Sequence, residues 1–268
     1  MRINAFYDTF IEPFTANCQH KFGGFVNLLL HELKKIAISF KDLIYPPLCL
    51  HCRQQLHAAE PFLCNLCLDQ LEFMALEGRC KRCFTFTGHL HSCPLCKSHD
   101  FPFAAMAAVF EHMGPAATLI RQFKYGQEDY LYKAMSAYMA AQFALLEWPF
   151  PDVIIPIPIS FSHRLERGYN QSALLAGGLS SILNVPVKDV LKRSLTGYSQ
   201  AGLNRKQRLL LNRSAFGLKK TNSLQGMKVL LVDDVMTTTT TLKAAAETLW
   251  EASPEEIYAL TFCCARKN

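Results

Sequence analysis

The sequence predicts an α/β protein in which a mainly parallel sheet with flanking helices follows a small metal-binding module. Apolar runs that suit buried strands alternate with helical stretches after residue 100, which is typical of a parallel sheet covered by helices. One of these runs, residues 229–232, leads directly into two adjacent carboxylates, Asp233 and Asp234. Four Cys-x-x-Cys pairs precede the first of these runs, and their spacing predicts a metal-bound ribbon.

The N-terminal part of the chain is expected to add a helix to this architecture. Residues 25–44 place apolar side chains at helical intervals, which indicates an amphipathic helix packed on the body, with membrane contact as the weaker alternative. We expect an N-terminal helical extension over 1–45, a double zinc ribbon over 46–98 and the α/β domain over 99–268. With 268 residues and 50% hydrophobic content, the chain is large enough for these segments.

Hydropathy argues against a protein that spans a membrane. No stretch reaches the ~18 uninterrupted apolar residues of a transmembrane helix. Residues 1–19 also lack the basic-then-apolar order of a secretory signal. The sequence therefore predicts a cytoplasmic protein without a transmembrane segment, in a compartment where thiols stay reduced.

The cysteine array is a strong signal for a metal. Eight of the eleven cysteines form the pairs Cys49/Cys52, Cys64/Cys67, Cys80/Cys83 and Cys93/Cys96. Two pairs complete a tetrahedral site, so the array predicts two structural Zn²⁺ ions with no open coordination position for catalysis. Sequential pairing is the simplest arrangement, although an interleaved cross-brace uses the same residues. Disulfides and a redox role fit less well, because thiols stay reduced in the cytoplasm and a redox motif normally occurs once.

The order of elements in the C-terminal domain follows from the periodicity of its apolar residues. Strands are predicted at 103–110, 152–158, 229–232 and 257–264, and helices at 116–123, 130–146, 170–183 and 242–250. The strand that carries the acid pair is expected near the centre of the sheet. Because proline lacks an N–H, Pro156 and Pro158 require the chain to turn at the carboxyl edge of the sheet.

The segment after the acid pair indicates what the domain binds. Five consecutive threonines lead into the last predicted helix; they are Thr237, Thr238, Thr239, Thr240 and Thr241. Hydroxyls and free N–H groups at a helix N-terminus bind phosphate, while two carboxylates suit ribose hydroxyls or a Mg²⁺ ion held through water. The residues therefore predict a site for a phosphorylated sugar. The alternative is a buried strand and a threonine-rich helix start, with the acid pair facing solvent.

The net charge of +6 is concentrated in one segment. Between residues 161 and 213, nine Lys or Arg residues stand against two acidic residues, a balance of +7. An anionic ligand such as diphosphate or nucleic acid is expected there, and a solvated basic face is the alternative.

The acid-pair segment resembles the binding loop of type I phosphoribosyltransferases. The usual pattern in that family is Asp-Asp-Val-x-Thr-Thr-Gly-x-Thr, and Thr239 occupies the glycine position here. The resemblance implies a type I phosphoribosyltransferase-like domain over 99–268 that binds 5-phosphoribosyl 1-pyrophosphate with Mg²⁺. Glycine takes φ > 0 freely and leaves room for a phosphate, so Thr239 indicates either weaker binding or a reshaped loop.

Further motifs are similar, in the same order, to those of the ComF family of competence-associated proteins. After the cysteine pairs come Phe123-Lys124-Tyr125, Ile155-Pro-Ile-Pro158, Arg167-Gly-Tyr-Asn-Gln171, Asn212-Arg213-Ser-Ala-Phe216 and Val232-Asp-Asp-Val235. The resemblance covers roughly residues 45–265. It implies a zinc ribbon, a phosphoribosyltransferase-like domain, and a link to DNA uptake in natural transformation or to use of external DNA. Proteins of the competence machinery are further expected partners.

The resemblance also implies roles for individual residues. Catalytic roles are expected for Asp233, Asp234 and Arg167. The expected substrate-binding residues are Asp233, Asp234, Thr237, Thr238, Thr239, Thr240, Thr241, Pro156, Ile157, Pro158, Ile159, Lys124, Tyr125, Arg167, Asn170 and Gln171. The candidates for nucleic-acid binding are Arg164, Tyr169, Arg205, Arg208 and Arg213. Asn170 can also cap a helix, and half-buried packing explains Tyr169 as well as base stacking does.

Three functional hypotheses follow from these motifs. The first is a Mg²⁺-dependent phosphoribosyltransferase in which a nitrogen nucleophile displaces diphosphate, assisted by a lid from residues 200–213. The second is a non-catalytic protein that binds single-stranded DNA and keeps the nucleotide pocket as a relic or sensor. The third, a zinc-dependent scaffold for competence proteins, leaves the acid-pair loop unexplained. The sequence leaves open whether the protein is an enzyme.

Overall fold

The structure, a computed structural model, describes residues 46–57, 60–88, 92–98, 101–193, 215–219 and 223–265. The chain divides into two compact units, Met1–Leu71 and Glu72–Asn268. The cysteines from Cys80 onward therefore belong to the larger unit. The predicted helix over 25–44 lies outside the described residues, and the three-segment division of the chain stays a prediction.

The described part of the smaller unit is built around the first two cysteine pairs. An antiparallel bridge joins Leu48 to Gln55, and helix α1 (Asn65–Leu68) begins directly after Cys64. A small apolar cluster is buried beside the cysteines; it includes Leu56, Phe62, Leu63 and Leu71.

The larger unit consists of alternating strands and helices, as predicted. In chain order its described elements are α2 (Pro94–Ser98), β1 (Ala105–Glu111), α3 (Gly114–Tyr125), a 3₁₀ turn (Asp129–Leu131), α4 (Tyr132–Leu145), β2 (Val153–Pro156), α5 (Phe161–Arg167), α6 (Gln171–Leu183), β3 (Leu191–Arg193), β4 (Phe216–Leu218), β5 (Lys228–Met236), α7 (Thr240–Trp250) and β6 (Glu256–Cys264). None of the helices in the described part of the chain combines the length and the apolar character that a bilayer crossing requires.

Four strands form one parallel sheet in the order β1, β6, β5, β2. The apolar run of β5, residues 229–232, is fully buried, as a strand inside a covered parallel sheet requires. The acid-pair strand therefore lies beside the centre of the sheet, which confirms the prediction. β2 ends at Pro156, which pairs with Val232 of β5, so the chain turns at the carboxyl edge as expected.

The helices bury their apolar faces on this sheet and on one another. Helix α3 packs on β1 and β6, α6 packs on β5 and β2, and α4 packs against α6. The close approach of α4 and α6 depends on Gly178, because a Cβ atom there would lie 2.3 Å from Oγ of Ser136. The same hydroxyl donates to the carbonyl of Leu175 at 3.1 Å, so a hydrogen bond also joins the two helices.

Three features differ from the sequence prediction. Strand β5 continues through the acid pair to Met236, where the prediction ended at residue 232, because Asp233 and Val235 pair with residues of β6. Helix α5 was not predicted; its residues are exposed or half-buried, so it lacks an apolar face that sequence periodicity could reveal. The antiparallel ribbon of β3 and β4 was also missed, because each strand has only three residues.

The segment that leads into the third cysteine pair is hydrogen-bonded to β1. The amide of Met74 donates to the carbonyl of Val109 at 2.8 Å, and the amide of Met106 donates to the carbonyl of Arg82 at 2.8 Å. The guanidinium of Arg82 donates to the carbonyls of Phe101 and Phe103 at 2.9 and 3.3 Å. Because β1 is the last strand of the sheet, this segment covers its edge.

Candidate functional site

The eight paired cysteines form two clusters in sequential order. One cluster contains Cys49, Cys52, Cys64 and Cys67, and the other contains Cys80, Cys83, Cys93 and Cys96. All sulfur atoms within a cluster lie within 4.8 Å of one another, and Cys80 and Cys96 are 3.7 Å apart. Four thiolates bound to Zn²⁺ at about 2.3 Å in a tetrahedron lie about 3.8 Å apart. The clusters therefore fit two structural Zn²⁺ sites, and the sequential arrangement is confirmed.

Glu60 lies next to the first cysteine cluster, and the sequence analysis did not identify it. Its carboxylate is buried and accepts hydrogen bonds from the amide of His57 at 2.7 Å and from the amide of Asn65 at 2.9 Å. These bonds lower the pKa of Glu60 below its ordinary value. Because Asn65 follows Cys64 directly, Glu60 fixes the backbone of the turn that carries Cys64 and Cys67.

The acid pair of β5 is tied to two different helices. Oδ1 of Asp233 accepts hydrogen bonds from the hydroxyl of Ser172 at 2.7 Å and from the amide of Asp234 at 2.9 Å. Oδ1 of Asp234 lies 3.0 Å from Nζ of Lys124, at the end of α3. The side chains of Lys124 and Asp234 are 19% and 10% exposed, so their ion pair is largely shielded from water.

Removal from water raises the pKa of Asp233 to about 7, and the neighbouring charge of Asp234 adds to the shift. The hydrogen bond from Ser172, the amide of Asp234 and the ammonium of Lys124 act in the opposite direction. Two adjacent carboxylates offer the hard oxygen donors that Mg²⁺ prefers, and they fit an ion bound directly or through water.

Three consecutive residues at the end of α3 each contact a predicted site residue. The carbonyl of Phe123 accepts a hydrogen bond from the hydroxyl of Tyr169 at 2.6 Å. Lys124 pairs with Asp234, as described above. The hydroxyl of Tyr125 accepts a hydrogen bond from Arg167 at 3.2 Å, and the guanidinium lies 5.0 Å from the centre of the tyrosine ring. The Phe123-Lys124-Tyr125 motif therefore connects α3 to the acid pair and to the arginine.

The loop after β2 lies next to the acid pair. The amide of Ile157 donates to the carbonyl of Val232, the residue before Asp233, at 3.0 Å. Asn170 caps α6, as predicted: its Oδ1 accepts from the amide of Ser172 at 3.2 Å. Its Nδ2 donates to the carbonyl of Ile157 at 3.0 Å, so one side chain links the helix start to the loop.

The threonine loop joins β5 to α7 at the same edge of the sheet. Thr240 and Thr241 lie in the first turn of α7, and Thr239 precedes the helix with φ of +60°. The loop therefore adopts at Thr239 the left-handed conformation that glycine adopts freely, although threonine carries a β-branched side chain. The hydroxyls of Thr238 and Thr240 lie 3.1 Å apart on the exposed side of the loop.

Arg193 lies close to the loop after β2, although it was not among the site residues predicted from the sequence. Its guanidinium donates to the carbonyl of Pro158 at 3.5 Å and lies 5.3 Å from the centre of the Phe216 ring. Burial lowers the pKa of Arg193, and the negative charge of Asp233 opposes that shift. Arg193 is one of the nine basic residues between 161 and 213, but no local pattern distinguishes it from the others as a site residue.

Arg167 and Gln171 contact each other through their side chains. Nη1 of Arg167 donates to Oε1 of Gln171 at 3.4 Å. Nε of Arg167 and Nε2 of Gln171 are buried and have no hydrogen-bond partner among the described residues. Buried donors without partners are energetically costly, which is consistent with a ligand that supplies acceptors.

The predicted nucleic-acid contacts are only partly described. Arg164 is exposed on α5. Tyr169 packs on Phe123 with ring centres 5.8 Å apart and has its hydroxyl bonded to the main chain, so it has the packing role that sequence allowed as an alternative. Arg205, Arg208 and Arg213 lie outside the described residues, as does the proposed lid.

Comparison with known proteins identifies the family. A family described as "Phosphoribosyl transferase domain" matches residues 170–268, which include the acid pair and the threonine loop. "Competence protein F" of Haemophilus influenzae is 31% identical over 215 residues, covering 78% of this chain and 93% of that protein. The chain belongs to the ComF family. A second relative, "Competence protein ComFC" of Bacillus subtilis, is 28% identical and covers 76% of this chain and 78% of its own length.

A third ComF-like relative is "DNA utilization protein YhgH" of Escherichia coli K12, which is 26% identical and covers 77% of this chain and 92% of its own length. The ComF family protein described here combines a phosphoribosyltransferase-like parallel sheet with two four-cysteine clusters. Of the motifs from which the family was predicted, the cysteine pairs form the two clusters and Val232-Asp-Asp-Val235 lies on the sheet.

Proposed function

We propose that this ComF-family protein binds 5-phosphoribosyl 1-pyrophosphate with Mg²⁺ at the carboxyl edge of its sheet. The observation that carries the proposal is the register of β2 and β5. Pro156 pairs with Val232, so the loop after β2, the acid pair and the threonine loop all lie at one sheet edge. Ligands of open parallel sheets bind at this edge.

Each part of this edge suits one part of the ligand. Asp233 and Asp234 accept hydrogen bonds from the ribose hydroxyls and supply oxygens toward Mg²⁺. The hydroxyls and N–H groups of residues 237–241 hold the 5-phosphate at the N-terminus of α7, an eleven-residue helix. Residues 156–159 and Arg167 hold the diphosphate, for which the guanidinium of Arg167 suits a bidentate hydrogen bond.

We also propose a transfer reaction at this site. The bond between C1 and the diphosphate oxygen breaks, and its electron pair leaves on the diphosphate. An acceptor nitrogen forms the new bond to C1 and releases its proton to solvent water. Arg167 stabilises the charge that develops on the leaving group, and the carboxylates hold the ribose while its ring carbon becomes electron-poor. Bound Mg²⁺ would add positive charge to the diphosphate.

Calorimetric titration with 5-phosphoribosyl 1-pyrophosphate and Mg²⁺ tests the binding proposal. The wild-type protein is expected to bind, and the double variant D233N/D234N is expected to lose binding. Glu251→Gln is the control, because this exposed residue lies at the far end of α7. Absence of heat with the wild-type protein would disprove the binding proposal. Diphosphate release with nucleobases as acceptors tests transfer separately, and binding without release for any base would leave a binding protein.

We infer a role in DNA uptake or DNA use for this chain from the names of its relatives. Those names refer to competence and to DNA utilization. Deletion of the encoding gene is expected to lower transformation, or growth on external DNA, in the source organism. Restoration by the wild-type gene but not by D233N/D234N would link the process to the acid pair. If the wild-type gene and the D233N/D234N gene both restore the phenotype, the role in DNA uptake or use does not depend on the acid pair.

A second candidate function is binding of single-stranded DNA without catalysis, and α5 is the observation that favours it. Phe161 and Leu165 are 65% and 72% exposed on this helix, beside the exposed Arg164. Exposed aromatic and basic side chains suit unstacked bases and a phosphate backbone. Fluorescence anisotropy with a labelled oligonucleotide should give an affinity that falls steeply with salt. Phe161→Ala should weaken binding of the oligonucleotide. If this variant binds as tightly as the wild type, α5 is not the DNA-binding surface.

A further inference from the structure

The ion pair between Lys124 and Asp234 affects how a metal ion can bind to the acid pair. The acid pair has two carboxylates, and Lys124 is 3.0 Å from one of them. Asp233, the other carboxylate, directs Oδ1 to two hydrogen-bond donors. One oxygen of each carboxylate, Oδ1, is thus already engaged by a group of the protein, and the ammonium of Lys124 brings a positive charge to the place where a cation would bind.

The backbone of Lys124 is held in place from both sides. Phe123 accepts a hydrogen bond from Tyr169, and Tyr125 holds the guanidinium of Arg167 by a hydrogen bond and by ring contact. The ammonium of Lys124, in contrast, is carried by a flexible four-carbon chain and has three donors. It can therefore change partner while α3 stays in place.

We propose that Lys124 is the resident cation of the acid pair, which excludes free divalent metal and admits Mg²⁺ only together with a phosphorylated ligand. In the free protein its ammonium neutralises Asp234. When the ligand enters, the ammonium donates to a diphosphate oxygen, and Asp234 is released for the ribose and the metal. The site thereby prefers the metal–diphosphate complex over the metal alone. The second step rests on the proposed function, whereas the exclusion of free metal does not.

The test uses Mn²⁺ alone as the probe, with the zinc-loaded full-length protein. Electron paramagnetic resonance measures the free Mn²⁺ in a titration without any sugar phosphate. Wild-type protein is expected to bind Mn²⁺ weakly, and Lys124→Gln is expected to bind it about tenfold more tightly, because one nearby positive charge is lost. A general loss of structure would not increase metal affinity, so a gain distinguishes this role from a packing role.

Two further variants control the experiment. Lys133→Gln removes an exposed charge on α4 and should bind Mn²⁺ as the wild type does. The double variant K124Q/D234N replaces the ion pair by two neutral side chains, which removes an unpaired buried charge and should return Mn²⁺ affinity to the wild-type value. Equal Mn²⁺ affinity of wild type and Lys124→Gln would overturn the proposal, as would an equal gain in Lys133→Gln.

The ligand titration separates this inference from the proposed function. Wild-type protein should bind 5-phosphoribosyl 1-pyrophosphate with Mg²⁺, and Lys124→Gln should bind it about tenfold more weakly while binding Mn²⁺ alone more tightly. A wild-type protein that binds no sugar phosphate would disprove the proposed function and the partner change of Lys124. The Mn²⁺ result would still decide whether Lys124 excludes free metal. If Lys124→Gln binds the ligand as tightly as the wild type, Lys124 does not move to the diphosphate, and only that part of the proposal is overturned.

Discussion

The hydroxyl of Ser172, in the first turn of α6, donates a 2.7 Å hydrogen bond to Oδ1 of Asp233 on β5. Ser172 is almost fully buried, so this bond is shielded from water. It joins the helix that Asn170 caps to the strand that carries the acid pair. The hydroxyl favours the charged form of a carboxylate whose pKa is raised to about 7 by burial.

Ser172→Ala is expected to raise the pKa of Asp233 further and to weaken binding of 5-phosphoribosyl 1-pyrophosphate at pH 7. A hydrogen bond to a charged group contributes about 1.5–3 kcal/mol, which corresponds to a loss of roughly tenfold or more in affinity. Calorimetry at pH 7 and pH 8.5 measures the effect, and the loss should shrink at the higher pH as the carboxylate ionises. Ser181→Ala is the control on the same helix, because its hydroxyl only donates to the carbonyl of Gly177. Equal losses in both variants would contradict this role.

Asp233→Asn is expected to stabilise the ligand-free protein at alkaline pH. The pKa of Asp233 in the folded protein, about 7, lies above its ordinary value of 3.8, so the folded state holds the proton more tightly. Stability therefore falls as pH rises between these two values, and the deficit persists above pH 7. Asparagine keeps the acceptor oxygen and removes the charge. The gain in unfolding free energy should be larger at pH 8 than at pH 5, by on the order of 2 kcal/mol.

Chemical denaturation at the two pH values checks this prediction for Asp233→Asn. Asp189→Asn is the control, because the side chain of Asp189 is 65% exposed. A gain of the same size at both pH values would mean that Asp233 is not the group whose pKa is shifted.

Thr239→Gly is expected to stabilise the threonine loop. The left-handed conformation costs a β-branched residue about 1–2 kcal/mol, and the greater freedom of glycine in the unfolded chain offsets part of that gain. We expect a net gain of about 0.5–1 kcal/mol and several-fold tighter ligand binding, because the backbone becomes accessible to the phosphate. Thr238→Gly is the matched control, since Thr238 is not among the described residues with positive φ. If both variants lose stability, Thr239 is not strained.

Loss of the second cysteine cluster is expected to destabilise the whole larger unit. Both tryptophans of the chain, Trp148 and Trp250, lie in that unit, so their fluorescence reports its unfolding alone. C80S/C83S should lower the melting temperature by about 5 °C or more, which corresponds to a few kcal/mol. C49S/C52S alters the cluster of the smaller unit and should shift this signal less. Equal shifts in both variants would mean that the two clusters support the larger unit equally.

The features that sequence predicted are those encoded by short-range pattern. The cysteine spacing, the buried run of residues 229–232 and the capping position of Asn170 each depend on neighbours within a few residues. They indicated the metal clusters, the central strand and the start of α6 without knowledge of the fold.

The features that sequence missed arise from contacts between distant segments. Lys124 and Asp234 are far apart in the chain, and only the packing of α3 on β1 and β6 brings them together. Asp233 has a low intrinsic preference for strands, yet its pairing with Thr261 extends β5 beyond the predicted end. The αL backbone of Thr239 could not be assigned either, because propensity disfavours it and only the loop closure imposes it.

The two hydrogen bonds of β1 with Met74 and Arg82 also suggest what happens when metal is scarce. If the segment from 74 to 82 detaches, the amide of Met106 and the carbonyl of Val109 become free at an apolar sheet edge. Such an edge recruits strands from other chains. Zinc starvation would then make the protein self-associate through its sheets before it unfolds, and the supply of zinc would limit how much of it stays dispersed in the cell.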